Sequence, residues 1–505
     1  MLRKILLLFI CIYTFSTPAR AEWHEATSEH FIVSTGGSDR DAIRLSQRLE
    51  AVHWMLTLIT GVTPQTDTQR VRIFLVDSLI DVRTAYGPGA DARDVAGFYR
   101  ADQTGAFAVV PRSEGDFSTT ILFHEYAHHF MLQYLDANFP PWLVEGFAEF
   151  ASTASFEREG HISIGKAATH RQYEIADGEW TPTERMFALP NRADRRAGAA
   201  SYGQYWLTTH YLLMHDERRV ELNHFINALN HGVELQQAYG SFADGIAALD
   251  NELRRYSNQR SFEGRLAPLP ANVMASPVLR TMRPGEAAAV PVELQAGRNL
   301  DAEERRALLT RAAALRAQYP DDPAVSLLEA RIAFDARDWA AAEAASARAL
   351  AIDPANGRAQ IWHGWATLNR LAANDAPVST SAASPARAEI IRGQNHNPDD
   401  PLGLIAFYDS FALTRTMPPE IAYTGILRAV ELMPQEDDVR MTAFTAAVNH
   451  HDLTLAARLI APIAYSPHRT ATQAHALALL QWVQNGAEGS PPVFVDLPPV
   501  ELNGN

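Results

Sequence analysis

The chain is short of thiols. Its 505 residues include a single cysteine, Cys11, which lies within the first 21 residues. Beyond that stretch there can be no disulfide framework, no thiolate ligand and no cysteine nucleophile. Any metal must therefore be held by histidine and carboxylate. Lysine is also scarce: Lys4 and Lys166 are the only lysines among 44 basic residues, a composition we read as coding bias without functional weight. Basic residues are outnumbered by 59 acidic ones, giving a formal charge of −15. No basic patch with interleaved aromatics occurs, so nucleic acid is not an expected partner. After residue 21 no apolar run approaches the roughly 20 residues of a membrane span.

What is present begins with a secretory pattern over residues 1–21. Arg3 and Lys4 form a charged start, Ile5 to Phe15 an apolar run, and Ala19-Arg20-Ala21 a small-x-small cleavage site. Leu8-Phe9-Ile10 lacks the small residues that a lipoprotein site wants before Cys11. The mature chain is expected to begin near Glu22, periplasmic or secreted, and three charges more negative once Arg3, Lys4 and Arg20 are gone.

A chain of this length exceeds one ordinary core, so two or three domains are expected. Residues 22–256 carry strand and helix patterns in alternation. His30 to Gly36 and Val71 to Val76 read as strands, with a helix from Asp39 to Leu58 between them. Gly97 to Arg100 and Gly105 to Val110 read as a hairpin whose edge could pair with an extended peptide. Residues 257–300, with several prolines, read as a linker with a little strand. From 301 to 485 alanine-rich helical patterns dominate. Pro320 and Pro354 lie 34 residues apart, as do Ala330 and Gly364, while Ala342 and Ala349 supply small residues for close helix packing. This pattern resembles the tetratricopeptide repeat, which implies three to five helix pairs stacked as a solenoid. Val378 to Pro385 reads as an inserted loop, and residues 486–505, with Pro491-Pro492 and Pro498-Pro499, as a disordered tail.

The chemistry is expected at Thr119 to Phe130 and Trp142 to Phe150. His124 and His128 stand four apart on a helical pattern, which brings both imidazoles to one face, one turn apart. Glu125 lies about 100° further round that helix, where it can reach a metal-bound water as general base without joining the ligands. Pro140-Pro141 then restarts the chain as a second helix from about Trp142 to Phe156.

That second helix, Trp142-Leu143-Val144-Glu145-Gly146-Phe147-Ala148-Glu149-Phe150, resembles the glutamate helix of the gluzincin metallopeptidases, the group that includes thermolysin and aminopeptidase N. The resemblance covers roughly residues 90–220. It implies that Glu145 is the third ligand of one zinc ion per chain. Two imidazoles and one carboxylate leave a fourth position for water, whose pKa falls to about 7 in such sites. Glu149, one turn on, is expected to hold a ligand imidazole by hydrogen bonding. His129 is expected to pack or to sit behind the ligands. Tyr202-Gly203-Gln204 resembles the start of the Tyr-x-Lys-Gly pattern that supplies an oxyanion donor in aminopeptidase N relatives, which implies that role for Tyr202. Gln204 replaces the lysine and Tyr205 the glycine, and a core aromatic at 202 is the competing reading. The signature that grips a free amino terminus is missing, which favours an endopeptidase, with Glu114 or Asp116 as the residues that could substitute.

These readings give an α+β zincin-like catalytic domain, a small mixed sheet plus helices, followed by an all-α tetratricopeptide-like solenoid. The expected function is an exported zinc peptidase acting on peptide or protein, with the repeats recruiting substrate or a protein partner. The competing function is a protease-like domain, catalytically idle, on an interaction scaffold. Retention of all three ligands argues against it, and the departures around Tyr202 argue for it.

Overall fold

A computed structural model describes residues 22–492 apart from 64–68, 89–92, 94, 113–115, 136, 138, 158–159, 177, 189–200, 299, 374–377 and 466–470. The expected signal at 1–21, Glu114, the side chain of Asp116 and residues 493–505 of the expected tail lie outside this set.

Nearly continuous buried apolar runs build the centre of the sheet. Strands β1 (His24–Thr27) and β2 (Phe31–Thr35) pair antiparallel. Helix α1 (Asp39–Thr60) follows, started by a capping box between Ser38 and Asp41 and stopped at Gly61, whose φ of 70° suits a residue without a Cβ. Strand β3 (Val71–Val76) returns parallel to β2. After α2 (Leu79–Tyr86) come β4 (Phe98–Asp102) and β5 (Gly105–Pro111), the expected hairpin. The buried apolar stripe of α1, with Leu45, Leu49, Val52 and Leu56, packs in one core with Phe31, Val33 and Ile73.

Two helices carry the expected chemistry, α3 (Asp116–Tyr134) and α4 (Pro141–Ser152), the latter with proline at its first position. Helix α4 stops short of the Phe156 end expected from sequence, because β6 (Ser155–Glu157) begins there and pairs with β7 (His161–Ile164). Helices α5 (Gln172–Ala176), α6 (Thr183–Ala188), α7 (Tyr202–Met214), α8 (Asp216–Asn230), α9 (Leu235–Ala238) and α10 (Ile246–Ser257) complete this region.

Residues 257–300 do more than link. Strand β8 (Arg265–Pro268) pairs with β7, and β9 (Val278–Thr281) pairs with β1. The six-stranded mixed sheet therefore runs β4-β5-β3-β2-β1-β9, and helix α11 (Pro284–Ala296) packs on the region that follows. Of the prolines that suggested a linker, Pro268 ends β8, Pro277 precedes β9 and Pro284 opens α11, while Pro291 lies inside α11, whose Ala289, Val290, Val292 and Leu294 are buried around it.

The C-terminal region is helical: α12 (Ala302–Gln318), α13 (Pro323–Asp335), α14 (Trp339–Ile352), α15 (Gly357–Ala372), α16 (Thr380–His396), α17 (Pro401–Leu413), α18 (Glu420–Leu432), α19 (Asp437–Asn449), α20 (Leu453–Ala464) and α21 (Ala471–Gln484). Each packs on its chain neighbours. Gly364 sets one such approach, since a Cβ there would stand 2.6 Å from the Ala386 carbonyl of α16. The loop expected at Val378 to Pro385 is instead mostly the first turns of α16. Ser379 caps it, and Ala383, Ala386 and Ile390 bury one face, so packing outweighs the proline inside the helix.

The helical region grips the sheet region through side chains on one edge. Arg331 pairs with Asp102 at the hairpin tip at 2.5 Å. Arg358 donates to the Thr104 carbonyl at 3.0 Å and pairs with Asp400 at 2.6 Å. Gln133, on α3, donates to the Glu431 carbonyl at 2.8 Å. The hairpin is thus anchored to α13 and α15, and α3 to α18.

Candidate metal centre

Helix α3 is held on its buried face by Phe123, Tyr126, Ala127 and Phe130, each no more than 2% exposed. That leaves His124, Glu125 and His128 half-buried, with both histidines facing Glu145 of α4 and His124 near Tyr202 of α7. Helix α4 lies against α3 with Ala148 and Ala151 at 0% exposure, and small residues let the two backbones approach. Across from α3, Gly146 meets α7 so closely that a Cβ would stand 2.1 Å from Thr209 Oγ1 and 2.6 Å from the Tyr205 carbonyl. Three helices therefore meet around the histidines.

The donor atoms converge. His124 Nε2 lies 3.1 Å from His128 Nε2, and Glu145 Oε2 lies 3.7 Å from the first and 3.8 Å from the second. All three ligand atoms fall within 4.8 Å of one another. Ligands about 2.0–2.1 Å from a tetrahedral zinc stand roughly 3.3 Å apart, so this triangle fits one small ion. No other grouping of three such side chains occurs among the described residues.

Behind the triangle stands Glu149, only 1% exposed. Its Oε1 is 3.4 Å from His124 Nδ1, the nitrogen turned away from the triangle. A carboxylate there fixes the imidazole so that Nε2 faces the metal position. Two further residues hold Glu149 in turn. His170 Nε2 is 2.9 Å from Oε2, and Arg171 donates to Oε1 at 2.7 Å and to Oε2 at 3.2 Å. Burial raises the carboxyl pKa, but the bonds from His170 and Arg171 and the charge of His124 outweigh it and hold Glu149 down to about 2. It is a permanent anion at physiological pH.

Tyr202 begins α7 with its ring centroid 6.4 Å from that of His124, and Arg171 Cζ lies 4.8 Å over its ring. Its neighbours are thus a cation and, in Tyr205, a second aromatic ring at 6.2 Å. His129 points away from the triangle, as its position one residue past His128 requires. It is 4% exposed, with the Tyr99 hydroxyl at 2.8 Å and the Gln435 amide at 3.0 Å from its Nδ1. Burial pushes it down to about 3, so it stays neutral. His210, with no ligand spacing in sequence, is packed at 0% exposure between the Gly165 carbonyl and the Tyr256 hydroxyl, each 2.8 Å away.

Sequence reasoning missed His170 and Arg171. They stand in a short 3₁₀ turn, Thr169–Arg171, whose residues carry no periodicity, and nothing in their spacing ties them to Glu149. No protein-family model and no curated protein matches the chain, so the reading of the site rests on its own residues.

Proposed function

We propose that the protein is an exported zinc-dependent peptidase of gluzincin type, with a zincin-like catalytic domain and a tetratricopeptide-like solenoid. The observation that carries this is the triangle of His124, His128 and Glu145 with Glu125 on the same helix turn. His124 Nε2, His128 Nε2 and Glu145 Oε2 would hold the ion. A zinc ion so held supplies Lewis acidity, which activates water and polarises a peptide carbonyl.

The chain's own groups do the rest. Glu125 takes the proton from the attacking water and returns it to the leaving amine. Tyr202 donates its hydroxyl hydrogen to the carbonyl oxygen as charge develops there. Glu149 keeps His124 in the tautomer that leaves Nε2 free to bind metal. The edge strand β4 offers backbone groups to an extended substrate.

Glu125→Gln tests the reading, because it keeps all three ligands. The variant should retain about one zinc per chain and lose cleavage of a peptide library that the wild type cuts. Full activity in the variant overturns the mechanism. A zinc-loaded wild type that cuts no peptide would leave the idle scaffold as the better account.

A further inference from the structure

We infer that Arg171 is a positioning residue that ties the metal-facing histidine to Tyr202, an inference resting on the peptidase reading above. One guanidinium makes three kinds of contact. It forks onto Glu149 with bonds of 2.7 and 3.2 Å. It pairs through Nη1 with Glu174 Oε1 at 3.1 Å. Its Cζ stands 4.8 Å over the Tyr202 ring. Glu149 reaches His124, and Glu174 Oε2 accepts the Gly203 N–H at 2.8 Å. The path from His124 through Glu149, Arg171 and Glu174 to the first turn of α7 is unbroken.

The path matters because of where Tyr202 sits. It is the first residue of α7, where backbone N–H groups have no partner within the helix. Glu174 supplies one of those partners, and its carboxylate stands at the positive end of the helix dipole. Gly203 lets the segment come this near, since a Cβ there would stand 2.8 Å from the Glu174 Cβ and 3.0 Å from Ile175 Cγ1. The glycine after Tyr202 thus serves the approach of the bracket. Arginine suits the hub because its planar fork engages two carboxylates while its face lies on an aromatic ring, which lysine cannot do. With two carboxyl groups on it, the guanidinium is occupied and is not an anion site for substrate.

The test uses the full chain and zinc alone as the probe, with zinc affinity from chelator competition and cleavage measured at saturating zinc. Arg171→Gln should weaken zinc binding and lower kcat, each by about 10- to 100-fold. Glu174→Ala should lower kcat by about 10-fold and leave zinc affinity at the wild-type value, because Glu149 keeps its partners. Arg171→Lys should not recover kcat. Wild-type zinc affinity and kcat in Arg171→Gln overturn the inference, as does full rescue by lysine. If Arg171→Gln melts far below wild type without metal, Glu174→Ala and Gly203→Ala decide, and wild-type kcat in both overturns it. Glu145→Ala separates the two levels. If it loses zinc while the Arg171 and Glu174 variants behave as wild type, the inference alone falls. If the wild type binds zinc no better than Glu145→Ala, the peptidase reading falls and takes the inference with it.

Discussion

The helices of residues 22–300 and those of 301–492 bury different things. Around the candidate metal centre the interior holds Glu145 at 3%, Glu149 at 1% and Thr208, Thr209 and His210 at 0% exposure. In the C-terminal region alanine fills many of the helix contacts, among them Ala342, Ala345, Ala349, Ala366 and Ala386, and the buried charged groups Asp322, Glu329, Arg331, Asp400 and Arg440 are engaged in ion pairs or hydrogen bonds. Alanine lets helices stack at little entropic cost and asks for no partner. Buried carboxylates and imidazoles need hydrogen bonds and opposite charge to be tolerated at all. Where a chain accepts that demand is where chemistry is expected. The charged contacts of Arg331 and Arg358 at the edge of the helical region fall where it meets the hairpin. By this comparison the first region is where the proposed reaction belongs, and the second holds the hairpin and α3 in place.

The comparison breaks most sharply at the ligands. His128→Ala should reduce bound zinc from about one per chain to near zero and abolish cleavage, read by metal analysis and a peptide assay. Retained zinc would move the centre elsewhere. Next comes the grip between the regions. Arg331→Met leaves Asp102 in a largely buried position without its guanidinium, and should cost about 3–5 kcal/mol in denaturant unfolding while zinc affinity stays unchanged. Smaller is the cost of crowding α4 against α7. Gly146→Ala sets a methyl group 2.1 Å from Thr209 Oγ1, and should cost about 1–3 kcal/mol in the same assay with a loss of kcat, because the α7 end bearing Tyr202 is displaced.

The smallest effect, taken over one pH unit, concerns His53. Burial, then the neighbouring His30, pushes its pKa from 6.5 to about 3 in the folded chain. Its folded pKa lies below the unfolded value, so its contribution is complete above pH 6.5 and is lost as pH falls toward 3. Within that window the wild type should lose up to about 1.4 kcal/mol per pH unit through this group. His53→Gln should show a shallower decline, and equal slopes would remove His53 from the account.

Much of this was legible in the sequence because it is local. The four-residue step from His124 to His128 fixes a shared face on any α-helix, and α3 is such a helix. Pro140-Pro141 announces the start of α4, and strand β3 runs over Val71–Val76 as its β-branched residues suggest. The inserted loop at 378–385 was misjudged because serine and proline signal a turn only where no apolar face opposes them. Ala383 and Ile390 bury such a face. The short strands β1, β6 and β7 were missed because three or four residues carry little periodicity and gain their bonds from partners elsewhere in the chain.

The sequence by itself determined the set of groups that can do chemistry. It leaves no thiol beyond Cys11, and it places two histidines, a base and a glutamate helix at spacings that the α-helix turns into geometry. Only the tertiary structure decided that Glu145 Oε2 comes within 3.8 Å of both imidazoles, that Arg171 joins Glu149 to Tyr202, and that Gln435 reaches His129 from 306 residues away. The physical reason is range. Backbone hydrogen bonds fix what lies within a turn or two, whereas contacts between distant segments follow from how whole faces pack, and no short window of residues encodes that.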